Sequence, residues 1–175
     1  MSNRAAVAGH PIHPMLVTIP IGLFVFSLVA DIAIYLGYGG AWPEVAFYCM
    51  GGGIVGALLA AVFGLVDLLA VRADRPVLRI GLMHMVINLV VVALFALNFA
   101  LRWQDHTPTG TPMLLSVAAV LLLLVSGWLG GHMVFVHGVA VQAPGTAPTP
   151  ERRKVQMPVR VERRRAYPGQ PIGQH

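Results

Sequence analysis

Apolar residues run almost unbroken through four stretches, from Pro14 to Leu36, Val45 to Ala70, Ile80 to Leu101 and Pro112 to Val136. Each is long enough to cross a hydrocarbon core of roughly 30 Å, which takes about 20 residues of helix. Lipid offers backbone N–H and C=O groups no partner, so runs of this kind predict helices that satisfy their own backbones. Few polar groups interrupt them: Asp31 in the first, Asp67 in the second, His84 in the third and His132 in the fourth. The connections at 37–44, 71–79 and 102–111 are short, which places successive helices side by side and antiparallel. The pattern predicts an all-α, integral membrane four-helix bundle over residues 1–142, with Trp42 and Trp103 as interface anchors on one side.

Charge sets the expected orientation. Arg4, the group Arg72, Arg75 and Arg79, and the basic residues of the C-terminal segment fall on one side of the four spans, against Arg102 alone on the other. Short cytoplasmic loops retain Lys and Arg, so both termini are expected in the cytoplasm, N-in and C-in, in a bacterial inner membrane. No secretory signal fits the N-terminus, where no compact basic-then-apolar segment with a cleavage site precedes the first span.

Composition agrees, since 57% hydrophobic against 11% charged residues in a chain of 175 excludes a water-soluble domain of this size. The segment 143–175 is different. Arg152, Arg153, Lys154, Arg160, Arg163, Arg164 and Arg165 outnumber Glu151 and Glu162 there and carry the whole net charge of +5. It reads as an extended basic cytoplasmic tail that cannot bury a core, drawn to anionic lipid or docking on a protein subunit of a membrane complex. Nucleic acid is not an expected partner, because no folded platform accompanies the bases. Cys49 is the only cysteine, which excludes an intrachain disulfide and a multi-cysteine metal site and leaves it a small packing residue.

The densest chemistry is GHPIHP at 9–14. Pro14 suits a first helical position and makes His13 the expected N-cap, while Pro11 keeps His10 outside the helix. His84 stands four residues into the third span, about 6 Å from its start, with Asn88 one turn deeper on the same face. Asp67 closes the second span at a similar depth, where it can fix an imidazole tautomer or pair with Arg72 or Arg79. His132 and His137 point about 140° apart on a continuous helix, so at most one joins the inner cluster unless the helix breaks near Gly138. Near the outer ends, Asp31 and Asn98 are expected to tie spans one and three by a hydrogen bond. His106 and His175 are given no role.

Small residues recur every fourth position in span two at Gly52, Gly56, Ala60 and Gly64, and Gly127 and Gly131 repeat the spacing in span four. Such a stripe permits close helix packing or leaves a groove for a flat cofactor. Both hairpins begin with a histidine, His13 or His84, and end on a polar residue, Asp67 or His132, a hint of internal duplication carried by these few positions.

The segments GHPIHPMLVTIPIG with Asp31 after them, GLVDLL at 64–69, HMVIN at 84–88 and GWLGGHMVFVHG at 127–138 together resemble the bacterial four-helix membrane family of domain of unknown function 2231, over residues 9 to 142. Similar domains occur fused to Rieske iron–sulfur or cytochrome c modules, so the resemblance implies a link to electron transfer. Neither module is among these residues.

Three functions fit these residues. The first is a non-catalytic electron-transfer or accessory subunit holding haem b, with His13 and His84 as axial ligands and His10 and His137 as alternates. Arg72, Arg75 and Arg79 would then face the propionates, and Asp67, Asn88 and His132 would hydrogen-bond the ligands. No helix carries the two stacked histidines of a two-haem cytochrome. The second is a transition-metal binding or transport protein holding zinc or iron through His10, His13, His84 and Asp67, copper(I) being disfavoured by the lack of suitable cysteines. The third is a structural accessory subunit without cofactor.

Overall fold

A computed structural model describes residues 6–7, 10–70 and 75–139. Two short strands, β1 (Ala6–Val7) and β2 (His10–Pro11), pair antiparallel ahead of the helices. Five helices follow: α1 (Ile12–Leu16), α2 (Thr18–Tyr35), α3 (Trp42–Ala70), α4 (Arg75–Leu101) and α5 (Thr111–Phe135). The first two form one span interrupted at Val17, and all four resulting spans are long and apolar enough to cross a membrane. Pro20 has no N–H to give the Leu16 carbonyl, which accounts for the break one turn before it.

α2 and α3 form one antiparallel hairpin and α4 and α5 a second; α3 lies against α4 and α2 against α5, so α2 and α4 face each other across the bundle. The termini of the spans at 12, 70, 75 and 135 make one end, called here the histidine end. The turns at 36–41 and 102–110 make the opposite end. α2 stops in a Schellman motif: Gly37, at φ 87°, donates to the Ile34 carbonyl and Tyr38 to that of Ala33.

The core is narrow. Phe24, Phe47, Met50, Val91, Phe95, Ala119, Val120 and Leu123 fill it, and Phe24 and Phe95 stack face to face at 4.0 Å with ring planes 3° apart. Leu58, Leu59, Val62, Leu65 and Leu69 of α3, and Leu121, Leu124, Val125 and Trp128 of α5, stand exposed. Apolar surface on that scale needs lipid around it.

The α3 ladder of small residues is filled by its neighbouring helices and does not form an open groove. A Cβ on Gly52 would meet Leu23, one on Gly56 would meet Pro20 and Ile19, and one on Gly64 would meet His13. Gly53, outside the ladder, makes the closest approach, with Phe24 Cε1 at 2.5 Å from a built Cβ. On α5 the expected pair Gly127 and Gly131 has nothing within 4 Å, and the glycine in contact is Gly130, beneath His84.

α4 begins at Arg75, so the third span is longer than its apolar run indicates. A charged first turn extends the helix beyond the hydrocarbon, and His84 lies nine residues in, about 13 Å from the helix start at 1.5 Å per residue. Arg79 stands exposed on α4, while Arg72 and the tail at 143–175 lie outside the described residues.

Gly53→Ala should lower the detergent melting temperature, because the added methyl must displace the stacked Phe24 ring at a cost of about 1–3 kcal/mol. Gly127→Ala, with open space around it, should leave that temperature unchanged or slightly raised.

Candidate functional site

Two polar clusters interrupt the apolar interior, one toward each end. At the histidine end, His13 is the second residue of α1, half-buried, with Pro11 in the N-cap position. The expected cap is displaced by two residues because Pro11 starts the helix, and the His13 ring is turned onto α3. Its Nδ1 lies 2.9 Å from the Ala60 carbonyl oxygen, and its ring rests against Gly64 one turn further on. On α4, His84 Nδ1 lies 2.9 Å from the Ser126 carbonyl oxygen of α5, and its ring rests against Gly130 one turn further on. A carbonyl can only accept, so each imidazole carries a proton on Nδ1, and in its neutral form holds its lone pair on Nε2.

Asn88 braces His84. Its Nδ2 donates to Ser126 Oγ at 2.6 Å and to the His84 carbonyl at 2.8 Å, and stands 3.1 Å from His84 Nε2. An amide has two N–H groups, and the two shorter contacts use them. The Nε2 contact is the longest of the three.

These two histidine settings are one setting built twice. His13 and His84 are 71 residues apart, as are Phe24 and Phe95, Ser27 and Asn98, and Asp31 and Arg102, and every member of the last three pairs is buried. Ala60 and Ser126 are 66 apart, as are Gly64 and Gly130, and Met50 and Ser116. Phe24 and Phe95, equivalent by this numbering, stack on each other, and Asp31 and Arg102 pair with each other. Residues that meet their own equivalents lie on a two-fold axis. Because the meeting recurs at two levels of α2 and α4, which run in the same direction, the pseudo-axis follows the helices and would stand along the membrane normal. Of the two positional matches the sequence offers, only the histidines coincide at these offsets: Asp67 falls opposite Met133, one residue from His132.

Around this pair, the remaining candidates are spread out. Asp67 is half-buried on the last turn of α3, one turn beyond Gly64. His10 is exposed in β2. α5 ends at Phe135, and Gly138 at φ 62° turns the chain so that the His132 and His137 rings approach to 5.3 Å at 74°. That break removes the angular separation expected of a continuous helix. Among the described residues, no group of three His, Cys, Asp or Glu side chains gathers as a metal site would require.

At the opposite end, Arg102 and Asp31 are both fully buried and form a bidentate pair, Nη1 to Oδ1 at 2.6 Å and Nη2 to Oδ2 at 2.8 Å. Arg102 Nε donates to Asn98 Oδ1 at 2.9 Å, Asn98 Nδ2 donates to Ser116 Oγ at 2.8 Å and to the Pro112 carbonyl, and Ser116 Oγ donates to Asp31 Oδ2 at 2.7 Å. The expected Asp31–Asn98 tie therefore runs through Arg102 and Ser116. Arg102 resembles a solvent-facing loop charge in the sequence; nothing but its spacing from Asp31 marks it otherwise. His106 also has a place, stacked on Phe47 at 4.1 Å while Phe99 stacks on Phe47 at 4.2 Å.

Fold and site together define a multi-pass membrane protein: a pseudo-two-fold four-helix bundle with twin backbone-anchored imidazoles at one end. The family model described as a predicted membrane protein, domain of unknown function 2231, matches residues 9–143, and the chain belongs to that family. No curated protein and no solved structure matches the chain.

Nitrogen shifts of protein labelled with ¹⁵N-histidine should assign the Nδ1-protonated neutral tautomer to His13 and His84 alike. An unprotonated Nδ1 in either ring would contradict the carbonyl anchoring.

Proposed function

We propose that the chain is an electron-transfer or accessory subunit of a membrane redox complex that binds one b-type haem through Nε2 of His13 and His84. The observation that carries this is the repeated anchoring: each ring gives Nδ1–H to a main-chain carbonyl of the neighbouring helix, over a glycine, and keeps its Nε2 lone pair. Histidine ligands to metals are held this way, with the remote N–H donated so that tautomer and ring plane are set before the metal arrives. A low-spin b-type haem would be held by two imidazoles, which His13 and His84 would supply. A single ion in a four-ligand site asks for a larger cluster than the described residues assemble, which weighs against zinc or iron bound as a free ion.

In this proposal the chain's own residues do three things. Ala60 and Ser126 orient the ligands, Gly64 and Gly130 let the rings reach those carbonyls, and Asn88 braces His84. Arg79, exposed on α4, is a cation available to carboxylate groups at that end, and Arg72, outside the described residues, is the second candidate by sequence. The bound haem would supply a one-electron carrier. His10 and His137 remain the alternate ligands, and Asp67 a group able to hydrogen-bond either ring. Orientation belongs to the same proposal: histidine end and both termini in the cytoplasm of a bacterial inner membrane, with the tail docking on a partner subunit or anionic lipid.

Protein expressed with ample haem should show a Soret band and, on dithionite, a sharp reduced α-band. His13→Ala or His84→Ala should each abolish the low-spin spectrum, Asp67→Asn should shift the potential or weaken retention, and His106→Ala should leave the spectrum unchanged. A colourless protein under these conditions excludes the haem reading. Orientation is tested separately: with an impermeant thiol reagent on intact cells, Ala73→Cys should stay protected and Thr109→Cys should label.

A further inference from the structure

We infer that the chain is a fused dimer of one helical hairpin, and that the Asp31–Arg102 pair on its pseudo-axis is the element that makes the first hairpin select the second and reject a copy of itself. The pairing surface is the stripe Phe24, Ser27 and Asp31 of α2 against Phe95 and Asn98 of α4 and Arg102 just past its end, with Phe24 on Phe95 and Asp31 on Arg102. At Phe24 and Phe95 the two sides carry the same residue, and the stack is indifferent to which hairpin supplies which ring. At 31 and 102 they differ in sign, with both side chains at 0% exposure. A first hairpin paired about this axis with another first hairpin would bring two carboxylates together in the interior. Two second hairpins would bring two guanidinium groups together. Like charges buried together in this way strongly oppose association.

The supporting groups follow the same logic. Asn98 and Ser116 hold the Arg102 guanidinium, and their equivalents in the other half are Ser27 and Met50. The half that holds the cation also holds the acceptors that satisfy it. The partner this surface fits is therefore a hairpin bearing a buried cation at its axial position with a hydroxyl and an amide beside it.

If the halves are copies, the whole network can be moved across the axis. In the full-length protein, Asp31→Arg alone and Arg102→Asp alone place like charges on the axis, and each should lower the detergent melting temperature by about 10 °C or more. The plain exchange Asp31→Arg with Arg102→Asp should recover less than half of that loss, because Arg at 31 would face Ser27 and Met50. Adding Ser27→Asn, Met50→Ser, Asn98→Ser and Ser116→Met should recover more than half. An exchanged protein that melts with the single variants, or a plain exchange that does as well as the complete one, overturns the inference, since an ordinary tie between two helices would not depend on where residues 50 and 116 send their atoms.

Discussion

A polar group inside this bundle has no solvent to fall back on, and that constraint governs where every buried hydrogen bond goes. In hydrocarbon an unpaired donor or acceptor costs several kcal/mol. The described residues meet the constraint fully, with no buried side-chain nitrogen or oxygen left without a partner. Arg102 is the most demanding of these groups, and four of its N–H donors are engaged by Asp31, Asn98 and Ser116. The desolvation of two ions is offset by the bidentate geometry and by a third bond to Asp31 from Ser116 Oγ. The network spans α2, the end of α4 and the start of α5, so it sets the register of three of the four spans at once.

Glycine does a second job that lipid makes necessary. With lipid tails as apolar as the side chains they touch, helices associate through close packing and not through exclusion from water. Gly53 admits the Phe24 ring, and Gly64 and Gly130 admit imidazoles. In the last two cases close approach also carries chemistry, because a side chain in place of either glycine would hold the ring off the carbonyl one turn earlier. Packing and tautomer are thus settled by the same absent Cβ.

Much of this fold is legible in the sequence, since spans of this hydropathy have one solution in a bilayer and short connections leave one neighbour order. The histidine positions stand out for a similar reason: polar residues in apolar runs are few enough to count. What is hidden is the partner. His84 is bound by a backbone carbonyl, and carbonyls are present at every residue, so no side chain in α5 announces the contact. The functional glycine is Gly130, while the heptad-like eye falls on Gly127 and Gly131, because spacing along one helix does not say which face meets another. Arg102 hides by its address, one residue past the end of α4, where a charge ordinarily turns to water. The duplication is visible once the 71-residue offset is known, but its halves share chemistry at only a few sites, and the sign change at 31 and 102 looks like divergence until the two residues are seen paired.

The pseudo-axis also separates the two polar clusters in function. His84 and Arg102 are 18 residues apart on nearly continuous helix, about 27 Å at 1.5 Å per residue, with Val91 and the Phe24–Phe95 stack between them. At that distance the field of a neutralised ion pair is slight. The pairing of hairpins and the chemistry of the imidazoles can therefore vary independently. Sign asymmetry sits at the end where it fixes which halves meet, and near-symmetry is kept at the end where two equivalent nitrogens are useful. Under the proposed function, a ligand held between His13 and His84 would meet one imidazole from each of two like settings.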